Sequence, residues 1–262
     1  MAVSMADLVA DLQRETAVLE HILDGLDDGD WLRPTPAPGW TVADQMSHLA
    51  HADESAVLAA TDRDAFEVKR AGRGDDVDAF TARVVAEHRH VTPPELRAWF
   101  DDARSTLMEV YGALDPSARV PWFGPEMSAA AQMTARIMET WAHGHDIADG
   151  VGVEWTVTPA VRQVAHICVR AIPNSFRARG RDVPEEPVRV ELVGVDGERW
   201  EWGPPDAANR VTGDAVELCL VATQRRHRAD TSLVAVGPVA EQWLTIAQAF
   251  AGPPGAGREP QT

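Results

Sequence analysis

Hydrophobic and polar positions in the first 150 residues repeat with the period of an α-helix. Apolar residues recur every three or four positions in four long stretches, and this spacing places them on one face of a helix. The stretches cover residues 4–27, 41–60, 92–115 and 128–150. Four amphipathic helices of this length, joined by loops, predict an antiparallel four-helix bundle.

Polar residues at the starts of these stretches favour helix N-termini. Ser4 or Asp7 can cap the first helix, and Thr41 with Asp44 has the spacing of a capping box at the start of the second. Thr92 is followed by two prolines, which are tolerated in the first turn of a helix. These signals support the helical interpretation.

Two segments between the helices lack a clear period. Residues 61–92 are charged and irregular, and their pattern predicts one short helix near 78–90. Residues 116–127 contain three prolines and are predicted to form a loop. Trp122 and Phe123 in this loop are candidates for the wall of a pocket.

After residue 150 the pattern mixes strands with helices. Residues 188–193 and 198–202 alternate apolar and polar positions around an Asp-Gly turn, which is typical of a β-hairpin. Further elements are predicted as strands at 210–213 and 233–237 and as helices at 158–171, 214–225 and 238–250. Such a mixture predicts a small α+β domain.

The whole chain is therefore predicted to be an α+β protein of two domains. The helical bundle is assigned to residues 1–153, the small α+β domain to 154–252, and a disordered tail to 253–262. A length of 262 residues agrees with two domains, and an apolar content of 45% is enough to form their cores.

Charge and cysteine content limit the classes of partner. The formal net charge is −17, and such an acidic surface argues against nucleic acids and anionic membranes as partners. Cys168 and Cys219 are expected to be buried, reduced thiols. The sequence has no signal-peptide pattern and no run of about 20 apolar residues, so a soluble, cytoplasmic protein is expected. It can be a monomer or a homodimer.

The fourth helix contains a pair of side chains that can bind a metal ion. Glu139 and His143 are one turn apart, which places their Cβ atoms about 6 Å from each other on one face. On a helical wheel Asp146 shares this face, whereas His145 points away. The apolar residues lie on roughly the opposite side. Spacing alone does not favour a metal site. It favours a polar face that is exposed to solvent and is formed by Arg136, Glu139, His143 and Asp146.

His48 in the second helix is the candidate for a third ligand. It lies about 120° from the apolar face of its helix, by a wheel of 100° per residue. Asp53 instead lies in the middle of that face, so the pattern favours Asp53 as the buried polar group. A buried carboxylate needs a partner. Asp53 is expected to pair with a cation, to support a site residue, or to have no special role.

Two motifs resemble those of a known family. Residues 38–50, PGWTVADQMSHLA, resemble the second-helix signature of the DinB-like bundle proteins and are most similar to the mycothiol-dependent maleylpyruvate isomerase branch. Residues 139–146, ETWAHGHD, resemble the second motif of that family. Residues 188–213 resemble the sterol-carrier-like C-terminal domain fused to many of these proteins.

This resemblance implies a metal site and a thiol cofactor. The motifs assign His48, Glu139 and His143 as the metal ligands. Zinc is the expected metal, and nickel or iron accepts the same donor types. The family's thiol is mycothiol, and a metal ion can lower the pKa of a thiol. The implied activity is transfer to, or isomerisation of, a small electrophilic substrate.

Two other functions are compatible with the same residues. A metal ion with a free position can also activate water, so a metal-assisted hydrolase is the first alternative. The second is a protein without catalytic activity, such as a metal-dependent binding or stress-response protein.

Arg225 begins a basic cluster that extends to Arg228. Cations at the end of a helix interact favourably with its dipole, so the cluster can be structural. Alternatively, Arg225 binds a substrate carboxylate above the metal site. Trp40 is expected to pack against the start of the second helix.

Overall fold

The computed structural model describes residues 4–74 and 76–261. These residues divide between Thr156 and Val157 into two compact units. In the described part of the chain, the first unit consists of helices and one short strand pair, and the second combines helices with a four-stranded sheet. The predicted α+β fold with two domains is confirmed.

Long amphipathic helices dominate the first unit, as the apolar period predicts. In chain order its helices are α1 (Met5–Leu23), α2 (Val42–Thr61), α3 (Arg63–Arg73), α4 (Val77–His88), α5 (Pro93–Gly112) and α6 (Ala129–Val151). The α2 helix packs against both α5 and α6, and α6 also packs against α1. The buried apolar side chains of these four helices form the core and include Leu8, Leu12, Leu19, Leu49, Phe100, Leu107, Ile137 and Trp141.

Side-chain caps begin three of the long helices where the sequence indicates. Ser4 forms a capping box with Asp7, and Thr41 forms one with Asp44. In each box both side chains accept a backbone N–H, which satisfies donors that the first helical turn leaves unpaired. The Ser128 hydroxyl oxygen accepts the N–H of Ala131 at 3.1 Å and so begins α6.

Residues 61–92 form two helices, whereas the sequence pattern predicts only one. The Asp62 side chain accepts the Ala65 N–H at 3.0 Å and caps α3. Phe66 is the one side chain in α3 that is fully buried. A helix with so little apolar surface gives too weak a period to be recognised from sequence. The predicted loop at 116–127 also contains a short antiparallel pair, β1 (Arg119–Val120) and β2 (Met127–Ser128).

Two helix ends differ from the prediction. The α1 helix ends at Leu23, four residues earlier than expected. The α6 helix continues past Gly150 to Val151 and is capped by Gly152, whose φ of 78° is left-handed. Gly150 serves another purpose, since a Cβ there would lie 3.1 Å from the Pro34 carbonyl oxygen. This glycine allows the chain before α2 to approach α6 closely.

The second unit contains a mixed sheet with four helices. Its elements are α7 (Val161–Arg170), α8 (Ile172–Ala178), β3 (Val188–Val193), β4 (Arg199–Trp202), β5 (Asn209–Asp214), α9 (Ala215–Ala222), β6 (Val234–Val236) and α10 (Pro238–Ile246). The strand order is β4-β3-β5-β6, with β3 parallel to β5 and the other pairs antiparallel. The four predicted strands are confirmed; α8 was not predicted, and α9 and α10 are shorter than expected.

Residues after Gly252 form no helix or strand within the described chain, and the disordered tail at 253–262 stays a prediction. Thr262 lies outside the described residues. No helix among the described residues combines the length and apolar character needed to cross a membrane.

A buried guanidinium joins the four long helices of the first unit. Arg104 of α5 donates to the Asp53 carboxylate of α2 at 2.6 Å. It also donates to the hydroxyl oxygens of Thr16 in α1 and Thr140 in α6, at 2.5 Å and 3.0 Å. The Phe100 ring centroid lies 4.7 Å from the guanidinium carbon. Asp53 is therefore the partner of a buried cation, which is one of the roles expected for it.

We expect Asp53→Ala to lower the free energy of unfolding by about 3–5 kcal/mol, because it leaves Arg104 buried without a carboxylate. Urea unfolding followed by circular dichroism measures the change. The double variant Asp53→Leu with Arg104→Met is expected to lose less stability than Asp53→Ala, since no charge then stays buried.

The control is Asp101→Ala, which removes an exposed carboxylate of α5 and is expected to change stability by less than about 1 kcal/mol. If the double variant is as unstable as Asp53→Ala, the buried charge is not the source of the loss.

Candidate metal centre

The three side chains that the sequence motifs assign as ligands meet between α2 and α6. The Oε2 atom of Glu139 lies 3.3 Å from Nε2 of His48 and 3.1 Å from Nε2 of His143. One donor atom from each residue lies within 4.8 Å of the other two. The side chains are half-buried, with exposed fractions of 22% for His48, 18% for Glu139 and 14% for His143. Their role as metal ligands stays a prediction.

The polar face of α6 is buried, so the expectation of a solvent-exposed face is wrong. Arg136 is 4% exposed and Asp146 is 1% exposed. The physical reason is that α6 packs against both α1 and α2, so its polar side chains lie against neighbouring helices. His145 does point away, as the helical wheel predicts, and its ring packs 4.2 Å from that of Trp141.

A chain of hydrogen bonds fixes the orientation of the His143 ring. The Thr35 hydroxyl donates to the Trp40 carbonyl oxygen at 3.0 Å, so its lone pairs accept the Gln45 amide N–H at 2.8 Å. The Gln45 carbonyl oxygen is then the acceptor for Nδ1 of His143, at 2.5 Å. This network assigns the imidazole hydrogen to Nδ1. The Nε2 lone pair of a neutral His143 therefore points towards Glu139.

This arrangement fits a bound cation. The Nε2 lone pair of His143 faces a carboxylate oxygen of Glu139, and two such acceptors repel unless a proton or a metal ion lies between them. Two imidazole nitrogens and one carboxylate oxygen form the donor set of catalytic zinc sites, which keep a position open for water or substrate. Nickel and iron accept the same donor types.

The charge state of Glu139 also suits a ligand. Burial alone would raise the pKa of Glu139, but its close contacts with the His143 and His48 rings and the charge of Arg136 hold this pKa well below its usual value. Glu139 is therefore ionised at neutral pH, and an ionised carboxylate is the form that binds a metal.

His51, three residues after His48, adds no charge to the site. Burial, followed by the charge of Lys69, lowers the pKa of His51 to about 3. His51 is thus neutral at neutral pH and packs 6.2 Å from the Phe80 ring centroid.

Trp40 forms one wall of the site, which the sequence interpretation missed. Its ring centroid lies 5.4 Å from that of His48 and 6.0 Å from that of His143, with the second pair nearly parallel at 15°. Trp40 was expected only to pack at the start of its helix. Gln45 was also missed, although it precedes His48 by one turn on the same helix and could have been found from that spacing.

Aromatic side chains cluster around α3 and the β1–β2 connection. The Phe66 ring lies 6.0 Å from that of Trp122 and 5.2 Å from that of Phe123, and Phe80 lies 5.7 Å from Phe123. Trp122 and Phe123 are half-buried. Their role in a pocket stays a prediction.

The remaining candidates lie in the second unit. Arg225 follows the end of α9 and donates to the Thr223 carbonyl oxygen at 2.6 Å. Its role as a substrate anchor stays a prediction. Cys168 and Cys219 are not joined in a disulfide, and both are buried, with exposed fractions of 1% and 0%.

Comparison with known proteins places the chain in a family. Residues 12–148 match the family model described as the mycothiol maleylpyruvate isomerase N-terminal domain. The chain belongs to the mycothiol-dependent maleylpyruvate isomerase-like family. Residues 184–236 match a second model, described as wyosine base formation.

Two full-length relatives and two solved structures are similar to this family member. Uncharacterized proteins from two Mycobacterium tuberculosis strains, CDC 1551 / Oshkosh and ATCC 25618 / H37Rv, are each 44% identical over 257 residues, which cover 97% of this chain and 100% of theirs. The crystal structure of the mycothiol-dependent maleylpyruvate isomerase has a TM-score of 0.60 at 16% identity, and that of its histidine-to-alanine mutant has 0.59 at 15%. Each of these two matches covers 89% of this chain and 93% of the solved chain, and the similarity shows a shared fold.

We expect Gln45→Leu to weaken metal binding by about 10- to 100-fold, because His143 loses the acceptor that fixes its imidazole hydrogen on Nδ1. Competition against a chromophoric zinc chelator measures the affinity. Gln13→Leu, on the exposed side of α1, is the control and should keep the wild-type affinity. Equal affinities in all three proteins would show that Gln45 does not orient a ligand.

Proposed function

We propose that this protein binds a divalent metal ion through His48, Glu139 and His143 and uses mycothiol to act on a small electrophilic substrate. Zinc is the metal that this donor set favours, with nickel or iron as alternatives. One observation carries the proposal: the Nε2 atoms of His48 and His143 meet the ionised carboxylate of Glu139. Gln45 holds the imidazole hydrogen of His143 on Nδ1, the nitrogen that faces away from Glu139. Membership in an isomerase-related family supports it.

The burial of both cysteines supports an external thiol. Cys168 and Cys219 lie in the interior of the second unit, where a substrate cannot reach their sulfur atoms. A nucleophilic sulfur must therefore come from a small molecule. A metal ion, when bound, would lower the pKa of a thiol that coordinates it and make the reactive form available at neutral pH.

The side chains around the ligands would prepare the site for this thiol. Glu139 stays ionised, and His143 is held in one tautomer, so neither ligand has to reorganise. Trp40 packs against both histidine rings and keeps water from that side. These residues would bind and orient, while the thiol supplies the bond-forming atom.

The reaction class follows from thiol chemistry. For isomerisation, the sulfur adds to one carbon of a conjugated double bond, which becomes a single bond and can rotate. Elimination then breaks the carbon–sulfur bond, restores the double bond in the new geometry and regenerates the thiol. For transfer, the carbon–sulfur bond is kept and another group leaves.

Metal analysis of the purified protein and of His48→Ala and Glu139→Ala tests the ligand set. We expect close to one metal ion per chain in the wild-type protein and a large loss in both variants, because each removes one of three ligands. His21→Ala, an exposed histidine of α1, is the control and should keep the metal. Full metal content in both ligand variants would overturn the assignment.

Calorimetric titration with mycothiol tests the thiol. We expect saturable binding to the metal-loaded protein and none to His48→Ala. If the metal-loaded protein takes up no mycothiol, the proposed function is wrong even when the metal site is correct. Turnover of an activated ester without thiol would instead favour a hydrolase.

A further inference from the structure

One segment of the second unit carries positive charge that no acidic residue balances. From residue 155 to residue 181 the chain contains five arginines and no aspartate or glutamate, although its net charge is −17. Two of these arginines, Arg162 and Arg170, are exposed on α7 and form no ion pair within the described part of the chain. A basic surface on an otherwise acidic protein is suited to an anionic partner.

The arginines of the sheet in the same unit are paired instead. The Glu191 carboxylate lies 3.0 Å from the guanidinium of Arg189 and 2.8 Å from that of Arg199. Arg210 also forms an ion pair with Glu191. The sheet thus supplies a carboxylate for its arginines, whereas the two arginines of α7 keep donors available to a ligand.

The two arginines flank a histidine on one face of α7. Arg162, His166 and Arg170 follow one another at intervals of four residues, so successive side chains lie about 40° apart around the axis and about 6 Å apart along it. All three side chains are exposed. Burial lowers the pKa of His166, and the charges of Arg170 and Arg162 lower it further. Both guanidinium groups are therefore close enough to act on the imidazole, which is neutral at neutral pH.

A tryptophan fixes the hydrogen of this imidazole on Nε2. The indole Nε1–H of Trp202 donates to Nδ1 of His166 at 3.2 Å. An indole nitrogen can only donate, so Nδ1 is the nitrogen without a hydrogen and Nε2 carries it. The Nε2–H group is directed away from Trp202 and can donate to a ligand.

A second tryptophan holds Arg162. The guanidinium carbon of Arg162 lies over the Trp200 ring, 5.6 Å from its centroid. This attraction acts between the cation and the face of the ring and does not use the N–H groups in hydrogen bonds. Trp200 and Trp202 are two residues apart on β4, so their side chains point to the same side of the sheet. The β4 strand therefore positions two of the three donor groups.

We propose that Arg162, His166 and Arg170 bind the phosphate group of a small phosphorylated molecule. A phosphate monoester carries a charge of about −1.5 to −2 at neutral pH and has three oxygens that accept hydrogen bonds. Two guanidinium groups match this charge, and the imidazole Nε2–H is a neutral third donor. A carboxylate carries a single charge and would leave one guanidinium unbalanced.

The size of the site and the charge of the protein favour a small soluble ligand. The three donor residues span about 12 Å along one helix, which gives room for one phosphate group and not for a polymer. The net charge of −17 opposes the approach of a nucleic acid or an anionic membrane. The inference does not use the candidate metal centre, so it goes beyond the proposed function and can fail or hold independently of it.

Calorimetric titration of the full-length protein with glycerol 3-phosphate tests the site, with glycerol as the uncharged probe. We expect saturable binding of glycerol 3-phosphate, and of inorganic phosphate, and none of glycerol. Arg162→Met and Arg170→Met should each weaken the binding of glycerol 3-phosphate roughly tenfold, because each removes hydrogen bonds between charged groups.

Two substitutions at position 166 separate the Nε2–H group from the rest of the ring. A glutamine amide can place an N–H near the position of Nε2, so His166→Gln should keep more affinity for glycerol 3-phosphate than His166→Ala. Equal affinities in these two variants would show that Nε2–H does not donate to the phosphate.

The matched control is Arg181→Met, which removes an exposed arginine of the same basic segment and changes the net charge by the same amount. It should bind glycerol 3-phosphate like the wild-type protein. His48→Ala should also keep this affinity, because the site does not include a metal ion. Circular dichroism and the melting temperature establish that each variant is folded, and the three site residues are exposed, so their replacement leaves the core intact.

Several results would overturn the inference. Wild-type protein that binds neither phosphate compound has no such site. Equal weakening in Arg181→Met and Arg162→Met indicates a diffuse effect of charge. A loss of binding in His48→Ala, with full affinity in the α7 variants, shows that a metal ion binds the phosphate. Binding to vesicles that contain phosphatidic acid, without binding of the soluble compounds, assigns the surface to a membrane.

Discussion

The contact on which the first unit depends is the buried guanidinium of Arg104. Its three donor groups reach Asp53 on α2, Thr16 on α1 and Thr140 on α6, so one side chain links all four long helices. Asp53 lies five residues after His48 on α2, and Thr140 directly follows Glu139 on α6. A helix rises about 1.5 Å per residue and is stiff over this length. Fixing Asp53 relative to Thr140 therefore also fixes His48 relative to Glu139.

Polar groups in the interior of this unit differ in how completely they are satisfied. The Arg104 network and the Thr35–Gln45–His143 chain pair donors with acceptors, and such networks make the surrounding structure rigid. The Glu139 carboxylate instead lies against the Nε2 atoms of His48 and His143, and the Nε and Nη1 atoms of Arg136 form no hydrogen bond with the described residues. Because an unsatisfied buried group reduces stability, its presence in a folded protein points to a role in binding.

The limits of sequence reasoning are visible on α6. The period of 3.6 residues indicates correctly that Glu139, His143, Asp146 and Arg136 share a face, because this depends only on helix geometry. The same period wrongly predicts that this face is exposed to solvent, because the pattern within one helix cannot show that neighbouring helices cover it. The contact between His48 and Glu139 joins residues about ninety positions apart and followed only from the family resemblance, not from local pattern.

The helices and strands that could be predicted from the sequence are those with a regular local pattern. The long helices were predictable because each buries several side chains at regular intervals and begins at a capping residue, and the β3–β4 hairpin was predictable because its strands flank an Asp-Gly turn. The α3 helix was missed because only Phe66 in it is fully buried. Gln45 and Trp40 could have been assigned to the site, because both lie within or beside the motif that contains His48. Their distances to His143 depend on how α2 packs against α6, which no local pattern contains.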